Sequence, residues 1–339
     1  MNIYKLLKIF HKIPYKRLKL AALWGAHVSG RRYVGVFLDP VMACNLRCRM
    51  CYMSNPEQRP KMAKMTPDDV EYVTDALMPS AIKQQIGCAT EPTLYTDLPS
   101  IVDAAHRKGV PYISITTNGQ LLSAELLEDM IEKGLNEVTL SVHGFTKQTY
   151  EHLMVNGKWE RFTALVEALR EAKKRHPEFK LRVNYVMNAM NFFDLTKFFY
   201  VFPSRMVDIL QLRPVQDTGG TGYTDFDLSL LKEHYAEVIQ PLVEQCVERG
   251  AVCMYPTREE LDCVDGMEDE FSKRMEQLTY YYVSPGHVGK EGWEWGTDSF
   301  GSYHRRKHSG RQMFRGIFSR LGNDKTATAS TKKLNYKIK

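Results

Sequence analysis

The sequence predicts an α/β fold built on a parallel sheet. Short β-branched and aromatic runs alternate with stretches of helical periodicity, and they recur at roughly 25–35 residues, the spacing a parallel crossover requires. The chain has 339 residues and is 43% hydrophobic, enough for one large core with appendages instead of several independent domains.

Each element has a local reason. "YVGVFL" (33–38) is the first strand, and a long cysteine-bearing loop follows it. "TPDDVEYVTDAL" then opens a helix, with Thr66 as N-cap, Pro67 at the first helical position and Asp69 completing a capping box. "IKQQIGC" (82–88) is a second strand, followed by a helix over 98–108, and "YISITT" (112–117) is a third strand. Ser123 starts a helix that Gly134 closes. "EVTLSV" (137–142), a helix over 159–175, "LRVNYVM" (181–187), a helix near 192–201 and "VDILQL" (207–212) complete six strands. A helix over 227–248 and "AVCMY" (251–255) offer one unit more; beyond Tyr255 the alternation is lost. Periodicity leaves open whether the sheet closes, but a ligand site belongs at the carboxyl ends of its strands either way.

Charge is uneven along the chain. Eight Lys/Arg and no acid precede Asp39, and from Ser302 onward eleven Lys/Arg face the single Asp324, so the middle is net acidic. That pattern argues against a nucleic-acid-binding core and confines any attraction for phosphate or lipid to the ends. The first residues, "MNIYKLLKIFHKI", put Ile3, Leu6, Leu7, Phe10 and Ile13 on one helical face opposite Lys5, Lys8 and Lys12. Such a helix either covers its own barrel or makes weak contact with an anionic membrane surface. No apolar run reaches the roughly 18 residues needed to cross a bilayer. The thiol content suits a reducing compartment, so the expected location is cytoplasmic. The organisation expected is a basic extension over 1–32, a core over 33–256, an extension over 257–301 and a basic, disordered tail over 302–339, with "HRRKHSGR" (304–311) solvated.

Three of the seven cysteines crowd into "VMACNLRCRMCYMS", Cys44, Cys48 and Cys51 at spacings of four and three. Closely spaced thiolates bind soft metal, yet no Cys or His follows Cys51 until Cys88, so the four ligands of a structural zinc site are lacking. A four-iron cluster held by three cysteines leaves one iron open to a substrate. "CNLRCRMCY" on the loop after the first strand resembles the signature of the radical SAM (S-adenosylmethionine) superfamily. "GCATEPTL" (87–94) is similar to that family's Gly-Gly-Glu-Pro motif, with Thr90 in place of a glycine and Glu91 in register. "TTNG" (116–119) and "LSVHG" (140–144) resemble the branch of molybdopterin-precursor cyclases and SPASM-type maturases, with His143 where Asp is common.

The resemblance implies a partial (β/α)6 TIM-like barrel over residues 33–256. It implies one 4Fe–4S cluster on Cys44, Cys48 and Cys51, with SAM held by Glu91, Ser141, Asn184 and Arg213 and by backbone at Met50 and Thr90; Tyr52 stands just outside the triplet. It further implies an external one-electron reductase of flavodoxin or ferredoxin type and hydrogen abstraction from a substrate it does not identify; the charge distribution adds that no nucleic acid is expected as partner. A small-molecule, carbohydrate or lipid-linked substrate ranks ahead of a peptide or protein, because Cys246, Cys253 and Cys263 lack the dense spacing of an auxiliary cluster and read as buried thiols, as does Cys88. Peptide or protein maturation and radical methyl transfer are the enzymatic alternatives, and a non-catalytic metal-binding module is the remaining one.

Overall fold

Helix starts in the computed structural model, which describes residues 13, 15–203, 205–217, 220–262, 270–319 and 337–338, follow the local chemistry of the sequence. α1 (Lys16–Val28) leads into β1 (Val34–Leu38), and α2 (Pro67–Leu77) begins at a complete Thr66–Asp69 capping box. There follow β2 (Ala81–Ile86), α3 (Leu98–Arg107), β3 (Ile113–Thr117) and α4 (Ala124–Glu132), whose N-cap Ser123 accepts from Leu126 N. Next come β4 (Glu137–Val142), α5 (Lys147–Leu153), α6 (Trp159–Arg175), β5 (Lys180–Met187) and β6 (Ile209–Pro214). α7 (Tyr235–Glu248) and β7 (Val252–Tyr255) form the extra unit. α8 (Glu270–Thr279), β8 (Tyr280–Ser284), β9 (His287–Val288), α9 (Phe300–Arg306), α10 (Ser309–Ile317) and β10 (Lys337–Ile338) end the chain.

Among the described residues one sheet holds all the strands in the order β10-β7-β6-β5-β4-β3-β2-β1-β8-β9. The pairs from β7 through β8 are parallel, and only the edges β9 and β10 run antiparallel. The two edges do not pair, so the sheet is open. This is the expected α/β parallel-sheet architecture, enlarged on both flanks. β8 is the addition that the sequence reading passes over: "YYYVS" lies beyond a long acidic stretch, yet it pairs with β1 from Gly35–Tyr280 to Leu38–Val283.

Side chains alternate across the strands. Val34, Val36, Leu38, Ile113, Ile115, Val138, Leu140, Leu181, Val183, Tyr185, Leu210 and Leu212 are buried on one face within the main core. The intervening residues form a polar face, including Lys83, Gln85, Ser114, Glu137, Thr139, Ser141, Arg182, Asn184, Gln211 and Arg213. A parallel sheet with both faces covered normally reads apolar on both, so a polar face marks a lumen built for a polar occupant.

The C-terminal residues correct one expectation. The segment expected as a solvated tail from residue 302 is helical through α9 and α10, begins at a Ser299–Ser302 capping box, and buries Tyr303, His304 and Met313. Leu20 and Leu23 of α1 form a second small core with Phe271, Leu278 and Met313. The basic ends therefore pack on one another: high charge density hid the apolar stripe that their helices bury. The amphipathic face expected over residues 3–13 lies, except for Ile13, outside the described residues, as does Cys263. No helix among the described residues is long and apolar enough to cross a membrane.

Candidate functional site

The loop after β1 carries the three cysteines and is cinched at three places. Its two ends meet through Met42 N to Ala63 O (2.8 Å) and Met65 N to Pro40 O (2.9 Å). Its middle is held by Arg47 N to Val155 O (2.9 Å) and Arg49 N to Leu153 O (3.0 Å) at the end of α5, and Glu91 N donates to Ala43 O (2.9 Å) from the loop after β2. Cys44, Cys48 and Cys51 are thereby half-buried free thiols on a fixed backbone, at the carboxyl end of the sheet.

Their electrostatics show what such a loop lacks. Burial pushes the Cys44 thiol up to about 11, with Glu91 and Cys51 pushing the same way against the Leu46 amide and Arg47. Burial pushes Cys48 up further, and the next largest causes are Cys51 and Cys44 themselves. Cys51 is raised by burial and opposed by the Met53 amide and Arg47. Burial disfavours ionisation of all three thiols, and Cys51 adds to it at Cys44 and Cys48, a penalty that a soft cation would relieve by displacing the protons. Asn118 Nδ2 lies 3.8 Å from Cys44 Sγ and 2.9 Å from Asn45 Oδ1, closing the rim from the end of β3. Cys88 is not a fourth member, because its thiol turns to Gln85 O (3.8 Å).

The loop after β2 is locked by two buried carboxylates. Glu91 accepts from Thr93 N (3.2 Å), Thr93 Oγ1 (2.6 Å), Thr117 Oγ1 (2.6 Å) and Asn118 N (2.8 Å), so it ties the end of β2 to the end of β3. Burial nonetheless raises its pKa above the ordinary carboxylate range, opposed by those donors. Asp39, at the end of β1, accepts from Cys88 N (2.7 Å), Ala89 N (3.1 Å), Thr90 Oγ1 (3.0 Å) and Tyr282 OH (2.8 Å). Between them Gly87 has φ +79°, and a Cβ there would lie 2.3 Å from Thr116 O, so only glycine lets β2 and β3 approach this closely. Thr90 is thus turned toward Asp39, and Tyr52 OH reaches Ala89 O (2.8 Å) across the mouth.

Ser141, Asn184 and Gln211 form one row across β4, β5 and β6, since Ser141 pairs with Asn184 and Asn184 with Gln211. With its amide turned to donate to Asn184 Oδ1 (2.8 Å), Gln211 accepts from Arg213 Nη2 (3.1 Å) and Nε (3.3 Å), so three of the expected residues share one polar strip with Gln211, which the sequence did not single out. Deeper in the lumen, Arg182 Nε lies 3.4 Å from buried Glu137, which also accepts from Tyr112 OH (2.8 Å). Burial lowers the pKa of neighbouring Lys83, with Glu137 opposing and Arg182 reinforcing. Met50 is buried, with Asn188 Nδ2 3.0 Å from its sulfur, and Asn191 Nδ2 holds His143 O (3.1 Å).

Three buried polar atoms at the mouth have no partner: Thr116 Oγ1, His143 Nδ1 and Gln216 Nε2, near the ends of β3, β4 and β6. Burial lowers the His143 pKa to about 4, leaving the ring neutral. Orphaned groups of this kind cost stability unless something pairs with them. They leave hydrogen-bonding capacity for a polar small molecule beside the three thiols, while among the described residues no three His, Cys, Asp or Glu side chains are gathered closely enough to hold a metal ion. Cys246 and Cys253 do not extend the site. Both are buried between α7 and β7, Cys253 pairs with Leu210 on the apolar side of the sheet, and its hydrogen bond with Cys246 together with burial pushes its pKa up.

A parallel open sheet with three free cysteines on the loop after its first strand and a polar face beneath defines the frame of an α/β protein whose candidate site lies at the carboxyl ends of the strands. Comparison with known proteins finds that residues 40–190 match the radical SAM superfamily, so the chain carries a radical SAM domain. Members of that superfamily use a 4Fe–4S cluster and SAM. A probable GTP 3′,8-cyclase of Sulfolobus acidocaldarius is 29% identical over 206 residues, covering 60% of this chain and 63% of the relative. GTP 3′,8-cyclase of Aquifex aeolicus is 27% identical over 203 residues, covering 57% and 62%. The chain thus spans somewhat under two thirds of the length of these relatives. Among solved structures, Streptococcus suis SuiB bound to S-adenosylmethionine superposes with a TM-score of 0.57 at 16% identity, over 76% of this chain and 60% of that one, a likeness of fold.

Proposed function

We propose that this radical SAM enzyme holds a single 4Fe–4S cluster on Cys44, Cys48 and Cys51 and binds SAM along the strip formed by Ser141, Asn184 and Arg213, with Met50 and the Glu91 loop as the walls. When bound, the cluster and SAM supply one-electron cleavage of the sulfonium to methionine and a 5′-deoxyadenosyl radical that takes hydrogen from a substrate. The chain's own part is to orient and to exclude. Asp39 and Glu91 fix the loop that faces the thiols, neutral His143 and Thr116 offer hydrogen bonds without a charge, and the lumen keeps other hydrogen donors away. An external flavodoxin- or ferredoxin-like reductant and a reducing, cytoplasmic setting belong to this reading.

The observation that supports it is the three thiols on one loop, all raised in pKa by burial, beside the orphaned polar atoms of the strand ends. Anaerobic reconstitution with iron and sulfide, then reduction with dithionite and SAM, should yield 5′-deoxyadenosine, and Cys48→Ala should abolish it. A protein that takes up zinc but no iron would refute the reading.

The narrower reading, a substrate with anionic groups such as the GTP named for the relatives, is favoured by the lumen, where Lys83, Arg182 and Arg213 outnumber Glu137. GTP binding to the SAM-loaded protein, weakened by Arg182→Ala, would support it; GTP left unbound at millimolar concentration would exclude it.

A further inference from the structure

A cavity of about 520 Å³ opens beside the residues that precede β1 and β2, at the opposite end of the strands from the cysteine loop. Five residues of β1 separate the two, roughly 17 Å. Arg31, Arg305 and Arg311 line the cavity with His27, His304 and His308, and none of its lining residues is acidic. None of the three arginines has a carboxylate partner among the described residues. His304 is 5% exposed; its Nε2 lies 2.6 Å from Tyr281 OH, while its Nδ1 is buried without a partner. With Tyr281 OH donating to Nε2, Nδ1 carries a hydrogen and has nothing to give it to. The cavity also receives the first turn of α10, where Gly310 and Arg311 line it. Cations, an orphaned donor and a helix N-terminus in one concavity make a receptor for a phosphate group.

The surface beside it narrows the source of that phosphate. On α10 and at its C-cap, Arg311, Phe314, Arg315 and Phe318 recur at spacings of three, one and three and all are exposed, Phe318 to 66%. Phe314 packs on Trp24 of α1, the ring centroids 5.2 Å apart, and Tyr15, Leu18 and Val28 are exposed along α1 or just before it. Alternating arginine and phenylalanine on one helix face, with exposed aliphatic side chains beside it, suits the boundary between headgroups and acyl chains. Leu18 and Val28 would gain nothing from a soluble phosphate or from the stacked bases of a nucleic acid.

We propose that α1, α9 and α10 form a membrane-surface docking site whose cavity takes the phosphate of an anionic lipid headgroup. The full chain should float with phosphatidylcholine vesicles that contain phosphatidylglycerol and stay behind with phosphatidylcholine alone. The pair Arg305→Ala and Arg311→Ala should weaken binding about tenfold or more, because each basic group at an anionic surface contributes on this scale. Phe314→Ser with Phe318→Ser should weaken binding to the same vesicles. Each of these four side chains is exposed, so circular dichroism should stay native, and Arg107→Ala, remote and paired with Asp103, should bind as wild type. Equal flotation with both vesicle types, or undiminished binding by the arginine pair, would overturn the proposal. Thermal stabilisation by inorganic pyrophosphate with no flotation would overturn it too, by assigning the cavity to a soluble phosphate. All these readouts are independent of SAM cleavage.

Discussion

Replacing Asp39 with alanine should separate the framework of the site from its chemistry. Asp39 is fully buried and accepts two amides and two hydroxyls, joining β1, the loop that carries Glu91, and β8. A hydrogen bond to a charged group contributes about 1.5–3 kcal/mol, and an orphaned buried donor costs about 1–3 kcal/mol. Thr90 and Tyr282 can turn their hydroxyls elsewhere, but the Cys88 and Ala89 amides cannot, so roughly 3–4 kcal/mol is at stake for the two amides together. Asp39→Asn retains one oxygen and should cost about 1–2 kcal/mol. Guanidinium denaturation of wild type and both variants reads the difference directly. Because the loop holds Glu91 opposite the thiols, the alanine variant should also lose SAM affinity while keeping its iron. A cost for Asp39→Ala below about 1 kcal/mol would refute the reasoning, since the network would then be redundant.

Two further outcomes follow from the buried histidines and cysteines. His143 and His304 titrate near 4 and 3 in the fold, against an ordinary value of 6.5, because burial disfavours their charged forms. The unfolded chain therefore binds more protons across that window, and stability present above about pH 6.5 is lost as pH falls toward 4, by up to about 3 kcal/mol per histidine before screening. Raised Glu91 works in the opposite sense, losing stability as pH climbs above the ordinary carboxylate value. Urea midpoints at pH 7 and pH 5 should differ less in His143→Gln than in wild type; an unchanged difference contradicts the assignment. Cys246→Ala and Cys253→Ala should each cost about 1–2 kcal/mol by leaving a small void, with iron per chain equal to that of wild type. Iron that falls with either variant would instead place a second cluster there.

Much of the fold was legible because its signals are local. The Thr66–Asp69 capping box, the Ser123 cap and the strand runs all depend on residues within a few positions of one another, and the structure has each of them. The thiol triplet was legible for the same reason, since its spacing fits within one loop. Asp39 was not, because its four donors come from residues 88–90 and from Tyr282, far along the chain. Gln211 was missed although it shares a strand with Arg213, because only strand register sets it beside Asn184.

By itself the sequence determined the α/β alternation and the place of the cysteines after the first strand. Only the tertiary structure decided that β8 joins the sheet beside β1, that the basic ends pack into a common core, and which polar residues meet across the lumen. Periodicity and capping are written within a turn or a strand, where the chain interacts with itself at short range. Strand order, and the pairing of buried charges such as Arg182 with Glu137, depend on contacts between distant segments, which no short stretch of residues can specify.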